Sequence, residues 1–191
     1  MPPQAATPIT GVDLWLLDLS KIAEADGEKF AAQLVQSDRD RAQQFKKNQH
    51  HFLATRALLR SVLAHYTGIP ARELVFDRTA DGKPFLTNLF LTNASQPLYF
   101  NLTHSGNFAA LAVTHCGELG IDIESPRKRS YVNIVERYFH VDEVQLLRDC
   151  AETEREQLFY RLWTLKEAFF KALGTGTVSY THLTLPTIPL V

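Results

Sequence analysis

The sequence is poor in cysteine, in long apolar runs and in net charge. Its two cysteines, Cys116 and Cys150, have no CxxC or Cys/His spacing around them, which argues against a disulfide framework or a zinc site. No stretch approaches the roughly 18 apolar residues of a membrane span. The net charge of −1 favours neither a nucleic-acid nor an anionic-membrane partner. Residues 1–11 resemble no secretory signal, so we expect a cytoplasmic protein.

The sequence does contain enough apolar residues for a core, with 45% hydrophobic and 10% aromatic residues. Its patterns predict strands at 12–19, 73–76 and 84–86, and three closely spaced strands at 97–102, 108–114 and 118–123, which suggest an antiparallel meander. Helical spacing covers 21–34, 37–47 and 49–66, then 132–173 with a break near His140. The predicted fold class is therefore α+β.

Two carboxylates alternate with two isoleucines in the run Gly120-Ile121-Asp122-Ile123-Glu124. Residues i and i+2 of a strand point to the same face, so a strand here brings both carboxylates to one side. Asp and Glu are rarely buried unless they are paired or bound to a cation. The pair therefore predicts a positive partner, and a hard divalent cation such as Mg²⁺ suits its oxygen ligands.

A second run with chemical potential is WTLKEAFFK at 163–171, where apolar residues recur at helical spacing. Trp163, Glu167 and Lys171 form a row at i, i+4 and i+8. Glu167 is thus placed to supply a third acid to a metal ion, and Lys171 to hold a phosphate beside it. The alternative is an ordinary solvated Glu–Lys pair worth about 0.3–0.5 kcal/mol.

Four other residues are candidates for binding phosphate. His104 and Ser105 lie where a predicted strand meets a tight turn, so an imidazolium and a hydroxyl are available together. Lys83 projects from a Gly-Lys-Pro corner, and Arg56 lies on a mainly apolar helix. Each has a plainer interpretation: a polar turn cap for Ser105, a solvated turn lysine for Lys83, and a snorkelling side chain for Arg56.

In this order, the runs GKP, FNLTHS, GIDIE and WTLKEAFFKALG resemble those of the 4'-phosphopantetheinyl transferases, of the type that activates surfactin synthetase and aminoadipate-semialdehyde dehydrogenase. The family signature is (I/V)G(I/V)D-x-E followed by W-x-x-K-E-(A/S)-x-x-K, and this chain has LGIDIE and WTLKEAFFK. The resemblance covers residues 12–174. It implies transfer of 4'-phosphopantetheine from coenzyme A to a serine of an apo acyl- or peptidyl-carrier protein, giving the holo-carrier and 3',5'-ADP.

The resemblance also implies roles for the acids. Asp122, Glu124 and Glu167 match the residues that coordinate Mg²⁺ in the family. Lys166 matches the signature lysine beside Glu167, and both are assigned to catalysis. Since the serine nucleophile needs a base within hydrogen-bond reach, Glu167, or a water that it shares with the metal, is the expected base.

Coenzyme A, the co-substrate, is expected to contact several basic and polar groups. Lys83, His104 and Lys171 match residues that contact its phosphates in the family, and Ser105 adds a hydroxyl next to His104. Arg56 falls in a helix that reaches the 3'-phosphate. The carrier partner is usually an acidic helical domain, so the basic run at 127–129 is a docking candidate, although a solvated loop explains it equally well.

The architecture implied by the resemblance is a pseudo-twofold pair of similar α+β halves, with coenzyme A in the cleft between them. The halves would be residues 1–97 and 98–176, the second carrying the metal site, and the protein would be a monomer. Residues 177–191 contain no acid or lysine and are rich in Thr, Pro and Leu. We expect this stretch to be an atypical, non-native tail that leaves the second half incomplete.

Two other functions remain open from the sequence. A truncated relative would bind coenzyme A or a carrier protein without catalysis, as the unusual tail suggests, whereas the intact acid set favours the transferase. An unrelated Mg²⁺-dependent phosphohydrolase would release phosphate from coenzyme A and leave the carrier unmodified.

Overall fold

The computed structural model describes residues 11–87, 97–126 and 132–175. The basic run at 127–129 and the tail at 177–191 lie outside these described residues, so their predicted roles stay predictions. The described part mixes helices and strands, which confirms the predicted α+β class. None of its helices is both long and apolar enough to cross a membrane.

The strands form two sheets in the described part of the chain. β1 (Val12–Asp18) begins the first sheet, and a separate antiparallel hairpin pairs β2 (Phe76–Arg78) with β3 (Pro84–Leu86). β4 (Tyr99–Ser105) and β5 (Phe108–Thr114) then complete the first sheet, in the order β1-β5-β4 with antiparallel pairing throughout. β1 therefore belongs to the predicted first half but pairs with a strand of the second. The pseudo-twofold relation between the halves stays a prediction.

The prediction of a third meander strand at residues 118–123 was wrong. Residues 118–123 form no strand, and β1 occupies the position beside β5 that a meander would give them. β1 pairs along its whole length, from Val12 opposite Thr114 to Asp18 opposite Phe108. The alternating pattern of residues 118–123 is real, but its backbone is held by other means, described below.

The helices agree with the predictions in their middle parts and differ at their ends. The predicted helix at 21–34 is reduced to short 3₁₀ turns and one short helix, and the predicted helix at 132–173 is broken near His140, as expected, and again at Cys150. The helices are α1 (Gly27–Ala31), α2 (Gln36–Ala42), α3 (Gln49–Thr67), α4 (Val132–Tyr138), α5 (Val141–Asp149) and α6 (Glu152–Leu173).

Two apolar clusters position the site. α3 packs on one face of the first sheet, where Leu63 is buried with Phe100 of β4 and Val113 of β5. α6 packs on α4 and α5 through a separate cluster that includes Phe139 and Phe159, whose rings stack at 5.6 Å. The region between these two clusters contains residues 118–126.

Candidate active site

Residues 118–126, hereafter the acid segment, are joined to β4 by side chains. Asn101 Oδ1 accepts from the Ile121 N–H at 3.0 Å. Ser105 Oγ donates to Glu124 Oε2 at 3.0 Å and accepts from the Ser125 N–H at 3.1 Å. These bonds replace the ladder that a strand would form, and they orient Glu124 towards β4.

Asp122 is the centre of the charged contacts in this region. Its Oδ1 accepts from Lys171 Nζ of α6 at 2.6 Å and from Thr103 Oγ1 of β4 at 3.1 Å. Lys171 also donates to Thr103 Oγ1 at 3.0 Å, which closes a triangle. The Asp122 side chain is 5% exposed and that of Lys171 is 32% exposed. The sequence prediction that Asp122 has a cationic partner is thus met by a lysine, and this lysine remains open to solvent.

Gly120 explains how the acid segment lies so close to α6. A Cβ at this position would lie 1.9 Å from the Ala168 carbonyl oxygen and 2.4 Å from the Ala172 nitrogen. Both neighbours are backbone atoms that cannot rotate away, so only glycine permits this approach. The glycine of the LGIDIE run therefore sets the distance between Asp122 and Lys171.

Of the three predicted metal ligands, Asp122 is the one whose surroundings can be described in detail. Asp122 suits a hard cation, because its Oδ2 is buried with no hydrogen-bond partner among the described residues. However, nowhere in 11–87, 97–126 and 132–175 are three or more His, Cys, Asp or Glu side chains arranged to hold a metal ion. The joint coordination of a metal ion by Asp122, Glu124 and Glu167 therefore stays a prediction. Lys171 is the cation beside Asp122, and Glu167 lies one helical turn before it.

Lys166 points away from this region. It is 0% exposed, and its Nζ lies 2.8 Å from Glu143 Oε2 of α5 and 5.6 Å from the Phe139 ring centre. Glu143 Oε2 also accepts from the His140 N–H at the start of α5. Successive helical residues point about 100° apart, so Lys166 and Glu167 serve different sides of α6. This placement suits a residue that fixes α6, and the catalytic assignment of Lys166 stays a prediction.

Lys83, which lies in the turn between β2 and β3, contacts the C-terminal end of α6. Its Nζ donates to Glu118 Oε2 at 2.5 Å, to the Leu119 carbonyl at 3.1 Å and to the Ala172 carbonyl at 2.8 Å. The side chain is 11% exposed. Its predicted contact with coenzyme A stays a prediction, since the ammonium group is bonded to protein acceptors in this structure.

His104 and Arg56 lie on the other side of the sheet. Neighbouring strand residues point to opposite faces, so His104 points away from Thr103 and Ser105, towards the side that α3 covers, and is exposed. Arg56 of α3 donates from Nε to Asp38 Oδ1 at 2.8 Å and lies over the Phe76 ring. Burial lowers the pKa of Arg56, and Asp38 opposes that shift. His104 and Ser105 therefore point to opposite faces of the sheet, and their contacts with coenzyme A stay predictions.

Sequence reasoning overlooked two positioning residues of β4, Asn101 and Thr103. The signal was present, because Asn101, Thr103 and Ser105 are polar at i, i+2 and i+4 of the strand. Such spacing places them on one face. Glu143 was overlooked as well, and only its spacing from His140, typical of a capping pair, indicated a structural role.

Comparison with known proteins identifies the family to which this chain belongs. A family model described as "4'-phosphopantetheinyl transferase superfamily" matches residues 118–189, and one described as "4'-phosphopantetheinyl transferase, N-terminal" matches residues 23–116. The 4'-phosphopantetheinyl transferase HetI of Nostoc sp. is 34% identical over 191 residues, covering 98% of this chain and 79% of that protein. The chain belongs to the 4'-phosphopantetheinyl transferase family. The first match runs through residue 189, beyond residue 174, where the resemblance in the sequence motifs ends.

Other relatives are matched over a smaller share of their length. The L-aminoadipate-semialdehyde dehydrogenase-phosphopantetheinyl transferase of Xenopus laevis is 34% identical over 140 residues, which is 69% of this chain and 46% of that protein. This chain therefore spans about half the length of that relative. A crystal structure of a holo-(acyl-carrier-protein) synthase from Bacillus anthracis in complex with CoA aligns at 22% identity with a TM-score of 0.42. It covers 56% of this chain and 96% of that one, a likeness too weak to carry an inference.

Proposed function

We propose that this protein transfers 4'-phosphopantetheine from coenzyme A to a serine of an apo acyl- or peptidyl-carrier protein. The observation that carries the proposal is the contact of Lys171 with Asp122 and Thr103, within a chain of this family. A partly exposed ammonium held beside a buried carboxylate is suited to receive a pyrophosphate. Asp122 and Thr103 fix the position of the Lys171 ammonium group and use two of its three N–H donors, and the third donor remains available to an anion.

The two faces of the sheet suit the two phosphate groups of coenzyme A. The acid segment and Lys171 lie on one face and suit the pyrophosphate, whereas His104 and Arg56 lie on the α3 side and suit the 3'-phosphate. Among the strands of residues 11–87, 97–126 and 132–175, β4 lies at the edge of its sheet, so one extended ligand can pass around it and reach both faces. Ser105 lies on the face proposed for the pyrophosphate, where its hydroxyl orients Glu124.

In the proposed reaction, the serine oxygen of the carrier bonds to the phosphorus that bears the pantetheine arm. The bridging P–O bond breaks, and its electron pair leaves with 3',5'-ADP. Lys171 counters the charge that develops on the phosphate oxygens, which is how most phosphoryl transfer is catalysed. Glu167, one turn from Lys171 on α6, is the proposed acceptor of the serine proton.

Mg²⁺ is the proposed metal, and Asp122 and Glu124 of the acid segment, with Glu167 of α6, are the residues that would hold it. When bound, such an ion neutralises pyrophosphate charge. The oxygen Oδ2 of Asp122, buried without a hydrogen-bond partner among the described residues, supports this assignment. A monomeric, cytoplasmic protein remains our expectation.

The test is to incubate the protein with coenzyme A, Mg²⁺ and an apo-carrier protein and to weigh the carrier by mass spectrometry. We expect the carrier to gain the mass of 4'-phosphopantetheine. Glu167→Gln should nearly abolish the gain while coenzyme A still binds, and Glu156→Gln, an exposed acid on the same helix, should behave as wild type. An unmodified carrier with bound coenzyme A would favour the binding module, and phosphate release without carrier modification would favour a phosphohydrolase.

A further inference from the structure

We infer that Lys83 is a positioning residue that holds the C-terminal end of α6 against the acid segment, rather than a ligand of coenzyme A. A lysine ammonium has three N–H donors and no acceptor. In this structure three protein oxygens accept from it, at 2.5, 3.1 and 2.8 Å. The head group is thus fully bonded, and a phosphate would have to displace one of these acceptors.

The acceptors come from two places that must stay together for the site to form. The Ala172 carbonyl belongs to the last turn of α6, one residue after Lys171. Glu118 and the Leu119 carbonyl begin the acid segment, and Gly120 follows them directly. Lys83 therefore joins α6 to the acid segment next to the point where the two backbones touch.

The location on the helix also suits a cation. The last carbonyls of a helix have no partner within the helix, and the macrodipole is negative there. Gly174 ends α6 with φ of 74°, and a Cβ at Gly174 would lie 3.4 Å from Lys83 Cδ, so the lysine stem lies along the cap. The stem is held by this packing and the head by the carbonyl of Ala172.

Lys83 comes from the β2–β3 hairpin, which is distant in sequence from both partners. The Gly-Lys-Pro corner sets its direction: Gly82 has φ of 88°, and Pro84 begins β3. The hairpin thereby holds the end of α6 in position, and Lys171, in the last turn of that helix, lies beside Asp122. The kinetic part of this inference rests on the proposed function, whereas its structural part does not.

The test compares Lys83→Met with wild type by hydrogen exchange of the protein alone, without coenzyme A or metal. The Gly174 N–H donates to the Phe170 carbonyl at 2.9 Å and reports on the last turn of α6. We expect this amide to exchange about tenfold faster in Lys83→Met, because a charge-assisted hydrogen bond to the helix end is lost. Lys46→Met, which removes an exposed lysine, is the control and should leave the exchange unchanged.

Unchanged exchange at the end of α6 in Lys83→Met overturns the inference, whatever happens to activity. If Lys83→Met yields no folded protein, Lys83→Gln is judged by the same criterion, since it keeps a polar side chain but removes the charge of the ammonium group. In the transfer assay a positioning role lowers kcat more than it raises KM for coenzyme A. A raised KM for coenzyme A with kcat unchanged identifies a direct ligand and also overturns the inference. Failure of the proposed function alone leaves the exchange result intact.

Discussion

Substitution of Gly120 by alanine tests the contact on which the site geometry depends. The added Cβ would meet two backbone atoms of α6 at 1.9 and 2.4 Å, whereas real Cβ atoms essentially never approach within 3.0 Å. The acid segment must therefore move away from α6 by about 1 Å, and overpacking of this kind destabilises proteins by about 1–3 kcal/mol. We expect the free energy of unfolding of Gly120→Ala to fall by that amount in urea denaturation.

The same displacement should affect the chemistry. A shift of about 1 Å takes the bond between Lys171 and Asp122 beyond the ordinary range for hydrogen bonds. Misplacement of catalytic groups by about 1 Å costs on the order of 100-fold in rate, so carrier modification should fall by that factor. Assays of transfer by mass spectrometry, with the remaining folded fraction measured in parallel, separate this effect from unfolding.

Gly11→Ala is the matched control, because no atom lies within 4 Å of a Cβ at that position. Its free energy of unfolding should stay within about 0.5 kcal/mol of wild type. If Gly120→Ala is as stable as Gly11→Ala and transfers at the wild-type rate, the close approach of the acid segment to α6 is refuted. The role of glycine in the LGIDIE run would then need another explanation.

Two other substitutions test buried polar groups. In urea denaturation, Lys166→Met should lower the free energy of unfolding by about 3–5 kcal/mol, because it leaves Glu143 buried without its cation. The double variant Lys166→Met/Glu143→Leu should recover part of this loss. A loss below about 1 kcal/mol in Lys166→Met would contradict the ion pair. Tyr66→Phe should destabilise by about 1 kcal/mol, since the hydroxyl donates to Asp13 and accepts from Trp15. Burial, then the bond to Asp13, raises the pKa of Tyr66 above its ordinary value of 10.0, so the stability it adds is present below that pH and lost as pH rises through the raised pKa. The difference between wild type and Tyr66→Phe should therefore shrink above about pH 10, and a difference that grows there would refute the assignment.

Elements whose signals are local could be predicted from the sequence. The predicted helix 49–66 matches α3 within one residue, because Gly68 with φ of 70° ends it as its sequence position suggests. The strands at β1 and β5 follow from their apolar patterns in the same way. The break of the last helical region near His140 was also predicted, and in the structure His140 is the N-cap of α5.

The acid segment could not be predicted, because its structure depends on distant partners. Ile121 and its neighbours have a strand-like pattern, but the N–H groups of Ile121 and Ser125 bond to side chains of β4. The place beside β5 is taken by β1, from the opposite end of the described chain. No local pattern indicates which of two candidate strands wins such a competition.

A sequence motif also could not predict the different positions of site residues that are adjacent in the chain. Lys166 and Glu167 are adjacent in the signature, yet they lie on different sides of α6, and Lys166 forms an ion pair with Glu143 of α5. His104 and Ser105 are adjacent in FNLTHS, yet strand alternation sends them to opposite faces. A motif specifies which residues occur together, and the period of the secondary structure decides which of them act together.

Stability and activity consequently have different sources in this chain. The core clusters on either side do not depend on the acid segment, whose described polar contacts are a few side-chain bonds to β4 and α6. Because the acid segment has no strand ladder, its position depends on the positions of β4, α6 and Lys83. Small shifts of these elements therefore change the distance between Asp122 and Lys171 before they unfold the protein. This explains why residues outside the charged contacts, such as Gly120 and Lys83, are expected to control the chemistry.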